Sequence, residues 1–579
     1  MNATRTRKIL SLPALFALAL ASVCFAQAPE KSDQHRPQMG AAGDPQAPGS
    51  VRATTVDEAI NLIIAREKDE VAALRRFKPL IETYTQEVKA DKSKGPLVVK
   101  DNYYLGQADL TKEIVDRSML VRRKGNPASA NPFSNLNVSF LLEYLPEDFL
   151  RMIYIDREAF DRQHYRFEFD HREFLGEIRC FVFDVSPLDR RGDDRFRGRI
   201  WVEDQGYRIV RFNGVYELAS SANRFNPHFD SWRLNLKPGL WLPAYIYSQD
   251  SELKDYPRSH VTIKSQTRFW GYNLSNPSHQ QEFSDLTIES PTALDPSGKD
   301  QRDASPIEAQ RHWREQAETN VIDNLQRVGL LAPPGEIDKV LETVVNNLEV
   351  TNNLDLQPEI RCRVLLTGTL ESFSLSHTIV LSRGLLDVLP DEASLATMLA
   401  QELATMIVTP PQIDTWAFSD EANVPALEAM SHFSFKYSPS DIQAANQKAL
   451  ELLMKSPYKD KLGTAGLFLK QLDAEQKALP ALVNSRLGNR IVFGGQLMST
   501  APDLEPEKLT QIAALPIGAR VKVDPWSDQV EFLKSKPVTP RTAGEKMPFE
   551  LTPFMPYLTR YKHPSPVGAS GDPPDTSRP

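Results

Sequence analysis

Cysteine is scarce in this chain: three residues in 579, one of them (Cys24) inside an apolar N-terminal run. Cys180 and Cys362 are too few and too far apart for a disulfide framework or a CxxC zinc ribbon. One long-range bridge or two buried thiols both stay open. Long hydrophobic runs are also lacking. Past residue 28 nothing approaches the roughly 18 consecutive apolar residues that a membrane helix needs, so no transmembrane segment is expected in the mature chain. Positive charge is in deficit, with 68 Lys and Arg against 76 Asp and Glu and a formal net charge of −8. That balance argues against a nucleic-acid partner. Histidine is sparse as well. There are ten, and no two stand four apart, so no helix offers two imidazoles on one face for a metal.

What is present begins with an export signal. Arg5, Arg7 and Lys8 precede an apolar core from Ile9 to Val23, and Ala26-Gln27-Ala28 supplies a small-residue cleavage site. The reading is a signal peptide over 1–28 and an exported protein, periplasmic or secreted. Cys24 follows Val23 where lipidation would want a small residue, so a lipoprotein is not expected. Residues 29–52 are polar and rich in Pro, Gly and Ala, and read as a disordered linker.

Thr55-Val56-Asp57-Glu58 is a capping-box pattern, and the apolar spacing from Ala59 to Phe77 predicts a helix over 55–77. The signal then changes to strands as far as about residue 275. Examples are Arg151–Ile155, Tyr165–Phe169 and Cys180–Val185, and a hairpin over Gly198–Gly214 that turns at Asp204-Gln205-Gly206. Trp232–Leu236, Leu240–Tyr247 and Val261–Lys264 follow. Regularly spaced antiparallel strands predict one curved sheet or open barrel over 53–284. The long first helix, the G-R-I-W-V-E…Y-R-I-V-R hairpin and the W-L-P strand resemble the periplasmic lipoprotein carriers of the LolA/LolB kind. That resemblance implies a half-barrel whose concave face takes acyl chains. Phe167, Phe169, Phe181, Phe183, Trp201, Trp232 and Trp241 could line such a face; they could equally fill an ordinary core.

A polar linker over 285–304 separates this part from a second, mainly helical one over 305–500. Helices are predicted from 306, ending at Gly329, and at 334–350, 391–408, 440–455 and 461–477. Residues 501–579 form an irregular, Pro-rich tail, although Phe549, Phe554, Met555, Tyr557, Leu558 and Tyr561 are apolar enough to dock on the body of the molecule.

Within the helical part, Ser372-Phe373-Ser374-Leu375 and Thr378-Ile379-Val380-Leu381-Ser382 read as two strands. Arg383-Gly384-Leu385-Leu386 and Asp391-Glu392-Ala393-Ser394-Leu395-Ala396 follow, then a helix carrying Gln401-Glu402-Leu403-Ala404-Thr405. This order resembles the zinc peptidase family of HtpX and the CAAX prenyl protease. The resemblance implies a gluzincin-like fold with a small sheet. It also places Glu402 at the general-base position of His-Glu-x-x-His, with Gln401 and Thr405 where both histidines would stand. In register with the family's third-ligand helix, Ile442 falls on the ligand position, Asp441 is one residue away, and Asn446 falls on a conserved-type Asp. Neutral oxygens and an alkyl chain are poor donors for Zn²⁺, and without the metal nothing makes a hydroxide from water.

The expectation is therefore an α+β multidomain protein, an antiparallel half-barrel-like part followed by a peptidase-like part. It is exported, catalytically inactive and without a cofactor, and acts by binding a protein or peptide client. Glu402 is then a vestigial general base, and Gln401, Thr405, Asp441 and Ile442 are vestigial ligand positions. Two alternatives stand beside it. One is an active zinc metalloendopeptidase with rearranged ligands such as His377, His432 and Asp441. The other is lipid or lipoprotein binding by the β-part.

Overall fold

The computed structural model describes residues 53–91, 95–112, 114–118, 149–188, 195–217, 227–249, 261–274, 306–409, 417, 433–491, 495–501, 521–524, 529–532 and 549–561. The expected signal peptide, both expected linkers, His432 and the last eighteen residues lie outside the described residues.

Helix α1 (Val56–Leu74) opens on Thr55, whose hydroxyl accepts from the Glu58 amide. It ends earlier than its apolar spacing predicts. Arg76 and Phe77 bond back only three residues, and Pro79 disfavours helix at Lys78. Ten strands follow: β1 (Leu80–Asp91), β2 (Gly95–Asp109), β3 (Ile114–Ser118), β4 (Tyr165–Leu175), β5 (Ile178–Pro187), β6 (Arg195–Glu203), β7 (Ile209–Glu217), β8 (His228–Lys237), β9 (Leu240–Gln249) and β10 (Val261–Trp270). They form one antiparallel sheet in the order β3-β2-β1-β10-β9-β8-β7-β6-β5-β4. The two end strands, β3 and β4, are not paired with each other, so among the described residues the sheet is open and not a closed barrel. β4 suits an edge: Arg166, Glu168, Asp170, His171, Arg172 and Glu173 line it, and charge there blocks pairing with another chain. The predicted strand at Arg151–Ile155 is a correction. Arg151–Ile153 is a single 3₁₀ turn, and Met152 to Ile155 are buried as a plug beside α1.

Both faces of the sheet are covered, which is why β5 reads as a nearly continuous apolar run. Phe183, Ile200, Phe212, Ile246 and Phe269 meet α1 and the 149–160 segment on one face. Cys180, Val182, Trp201, Trp232, Trp241, Tyr245 and Tyr247 lie on the other face and share a core with the C-terminal half. Cys180 and Cys362 are both buried free thiols in that core.

The C-terminal half contains α2 (Pro306–Arg327), α3 (Glu336–Asn352), β11 (Arg361–Leu365), β12 (Ser372–Leu375), β13 (Thr378–Ser382), α4 (Arg383–Val388), α5 (Glu392–Val408), α6 (Pro439–Met454), α7 (Leu462–Glu475), α8 (Pro480–Val483) and α9 (Gly495–Met498). The small sheet runs β11-β13-β12, with β11 parallel and β12 antiparallel to β13. β14 (Val521–Val523) and β15 (Val530–Phe532) make a ribbon tied to the body by the Asp387 carboxylate, which accepts from the Val521 amide at 3.0 Å.

Buried polar groups join the large sheet to the helical half. Glu82 of β1 pairs with Arg383 at 3.2 Å and accepts from Tyr103 Oη at 2.8 Å. Asp101 of β2 accepts from the amides of Ala481 and Leu482, each at 2.8 Å, and from Tyr84 Oη at 2.9 Å. Charges closed off in this way need partners, and the fit between them fixes the orientation of the two layers.

Candidate functional site

α5 is buried along its whole length from Ala393 to Thr405, so it carries no polar stripe of the surface-helix kind. Asp391 caps it, accepting from the Ser394 amide at 2.8 Å and the Ser394 hydroxyl at 2.7 Å. Ser394 thus helps close the helix start. Glu392 accepts from Tyr458 Oη at 3.0 Å, which ties α5 to the turn after α6.

The buried helix delivers Glu402 to the back of β12. Ser372 Oγ donates to Glu402 Oε1 at 2.7 Å. Ser374, two residues along on the same side of the strand, brings its hydroxyl close to Glu402 and Tyr437 without forming a hydrogen bond of ordinary geometry. Burial pushes the Glu402 carboxyl up to about 7, only partly opposed by the two serine hydroxyls. Tyr437 is also raised, chiefly by burial and further by the negative charges of Glu402 and Asp441. The cluster is thus a carboxyl that changes protonation near neutrality, two serines and a tyrosine, almost closed to solvent.

The positions expected to hold metal do not fit zinc. Thr405 Oγ1 donates to the Gln401 carbonyl at 2.8 Å, so its hydroxyl is bound to its own helix backbone. Ile442 is a buried alkyl chain. Asp441 is held at the start of α6, where Ser438 Oγ donates to its Oδ2 at 2.7 Å and accepts from its amide. Of the rearranged set, His432 lies outside the described residues. The His377 ring sits beside Ser376 Oγ at 3.0 Å and Glu318 at 3.7 Å. Among the described residues no group of three or more His, Cys, Asp or Glu is placed to hold a metal ion.

The aromatic residues singled out on the strands do not share one cavity. Phe167, Phe181 and Phe183 belong to the α1 face, and Phe169 is half exposed. Trp201, Trp232 and Trp241 belong to the opposite face. There the Arg211 guanidinium lies over both indoles, 4.2 Å from Trp201 and 4.4 Å from Trp232, while pairing bidentately with Asp230 at 2.8 and 2.9 Å. Toward the β4 edge, opposed Gly198 and Gly214 leave an open groove of about 460 Å³. In it Arg199 pairs with Asp184 at 2.9 Å, and the His228 ring lies 2.6 Å from Asn213 Oδ1.

The tail docks as its apolar residues predict, and what it docks on is this Trp-bearing face. The Gln86 side-chain amide donates to the Phe549 carbonyl at 2.6 Å and accepts from the Leu551 amide at 2.7 Å. Glu550 pairs with Lys264 of β10, and Phe554 packs edge-on against Tyr245 of β9, ring centres 5.7 Å apart. Further on, the Glu177 amide donates to the Leu558 carbonyl at 2.8 Å. Asn235 accepts from the Tyr561 amide at 2.8 Å, and Arg560 pairs with Glu203 at 2.8 Å. Phe549, Leu551 and Leu558 are fully buried, while Met555 and Tyr557 point to solvent. Gln86, Asn235 and Tyr437 carried no motif in the sequence, and Ser372 was read only as strand; the apolar residues of the tail were the one readable signal of this second site.

The chain matches no family model and no curated protein. It is similar to a solved structure of a DUF1329 family protein from Desulfovibrio piger, with 10% identity over 37% of this chain and 92% of that one, at a TM-score of 0.18. A likeness of that size carries no argument about fold or function, and no peptidase family is shown.

Proposed function

We propose that this is an exported, non-hydrolytic protein of the cell envelope that works by binding a protein or peptide client. The observation that carries the reading is the donor set on α5 and α6. If the order of elements is read as peptidase-like, the ligand positions hold a threonine hydroxyl turned onto its own helix, a glutamine and a buried isoleucine. Glu402 is held against Ser372, whose hydroxyl donates to its carboxyl at 2.7 Å. A buried carboxyl hydrogen-bonded to a strand is a structural device here, joining α5 to β12.

The test is the zinc content of residues 29–579 after exhaustive dialysis. The expected result is substoichiometric zinc and no cleavage of unfolded protein. About one tightly held zinc per chain overturns the reading and returns attention to His377, His432 and Asp441.

A further inference from the structure

We infer that the Trp-bearing face of the large sheet is a groove for an extended peptide, and that residues 549–561 are its intramolecular occupant. The client segment it fits repeats the pattern of that tail: Glu, then Phe four residues on, Leu four further and Arg two beyond that, with prolines between. The inference rests on the binding-protein reading for its use in the cell, but its geometry lies apart from Glu402.

The tail is held as a ligand is held. It is not one of the ten strands of the sheet. It crosses from β1 over β10 and β9 to the end of the sheet where the β4–β5, β6–β7 and β8–β9 hairpins turn. Four hydrogen bonds go to its main chain, from Gln86 twice, from the Glu177 amide and from Asn235. A side-chain amide that satisfies both a carbonyl and an N–H reads backbone and is indifferent to side-chain identity, as peptide-binding grooves are.

Specificity comes from what points inward. Phe554 and Leu558 face the sheet while Pro553, Met555 and Tyr557 face out, the alternation of an extended chain. The ends are chosen by charge, Glu550 by Lys264 and Arg560 by Glu203. Gly176 leaves the space: at φ +66 it lies so close that a Cβ would stand 2.5 Å from the Leu558 carbonyl oxygen. Pro553 and Pro556 hold the segment extended before it binds, which lowers the entropy lost on docking.

The experiment uses the full mature chain with a protease cleavage sequence inserted between Pro540 and Arg541, outside the described residues. After cutting, a fluorescent peptide of residues 546–563 is added in excess and followed by anisotropy and gel filtration. The expected result is exchange of the peptide into the cut chain and none into the uncut chain. A peptide carrying Phe554→Ala and Leu558→Ala should bind about tenfold or more weakly, since buried apolar anchors dominate such contacts. Three outcomes overturn the inference. The cut tail stays without exchange; the cut chain no longer unfolds cooperatively, which makes the segment ordinary core; or it binds phosphatidylethanolamine vesicles and not the peptide, which makes the face a lipid site. Zinc measured on the same preparation separates the two readings: zinc together with exchange sinks the non-hydrolytic proposal and leaves the groove.

Discussion

Arg233 and Glu67 form a bidentate ion pair, with both N···O distances 2.7 Å, between β8 and α1, where neither side chain reaches solvent. The guanidinium also lies near the carbonyls of Ile209 and Ile153 and over the Phe212 ring, 5.4 Å from its centre. The pair therefore pins the first helix to its face of the sheet and anchors the 3₁₀ turn that the sequence pattern reads as strand.

Removing one partner leaves the other charged and buried. Glu67→Leu is expected to lower stability by about 3–5 kcal/mol, read as a lower midpoint in urea unfolding. Replacing both at once, Glu67→Leu with Arg233→Met, should cost less than Glu67→Leu alone. Equal losses in the two variants would mean that the pair contributes little beyond packing.

Glu402 gives a pH dependence whose sign follows from its environment. Its folded-state carboxyl is raised to about 7 from an ordinary value of 4.5, so between those values the folded chain holds a proton that the unfolded chain has released. Stability then falls as pH rises through that window. The full effect is on the order of 3 kcal/mol. Glu402→Gln keeps an acceptor for Ser372 and has no proton to lose. At pH 8 the variant should melt at a higher temperature than the parent, and at pH 4 the two should converge. A difference that does not change with pH would refute burial as the cause.

Zinc affinity can be built onto α5 and α6 in two steps. Gln401→His with Thr405→His places two imidazoles four apart on α5, and should give weak zinc binding by calorimetry. Adding Ile442→Glu supplies the third donor that a zinc site normally has and should tighten it by tenfold or more, a gain of about 1.4 kcal/mol. No binding in either variant would show that α5 and α6 are not spaced as in a zinc peptidase.

Local pattern made much of the fold readable. Thr55, Asp391 and Ser438 each stand at a helix start and cap it as hydrogen-bonding residues do. The apolar runs through Cys180–Val185 and Ile200–Val202 read as strand and are strand. These succeed because capping and short apolar runs involve residues near each other in the chain. Arg151–Ile155 fails for the same reason in reverse: β-branched and aromatic residues favour a strand locally, but a buried plug beside α1 uses them as well.

The amino-acid sequence alone determined the two-part pattern of strands then helices, the absence of a long apolar run past residue 28, and the neutral or alkyl side chains at Gln401, Thr405 and Ile442. Those are properties of composition, period and identity. Only the tertiary structure decided which face of the sheet each aromatic residue takes, that Glu402 meets Ser372, and that residues 549–561 lie across β1, β10 and β9. Gln86 and Phe549 are 463 positions apart, and no local propensity links them. Their meeting depends on the sheet face that receives them and on apolar side chains in the tail that must leave water.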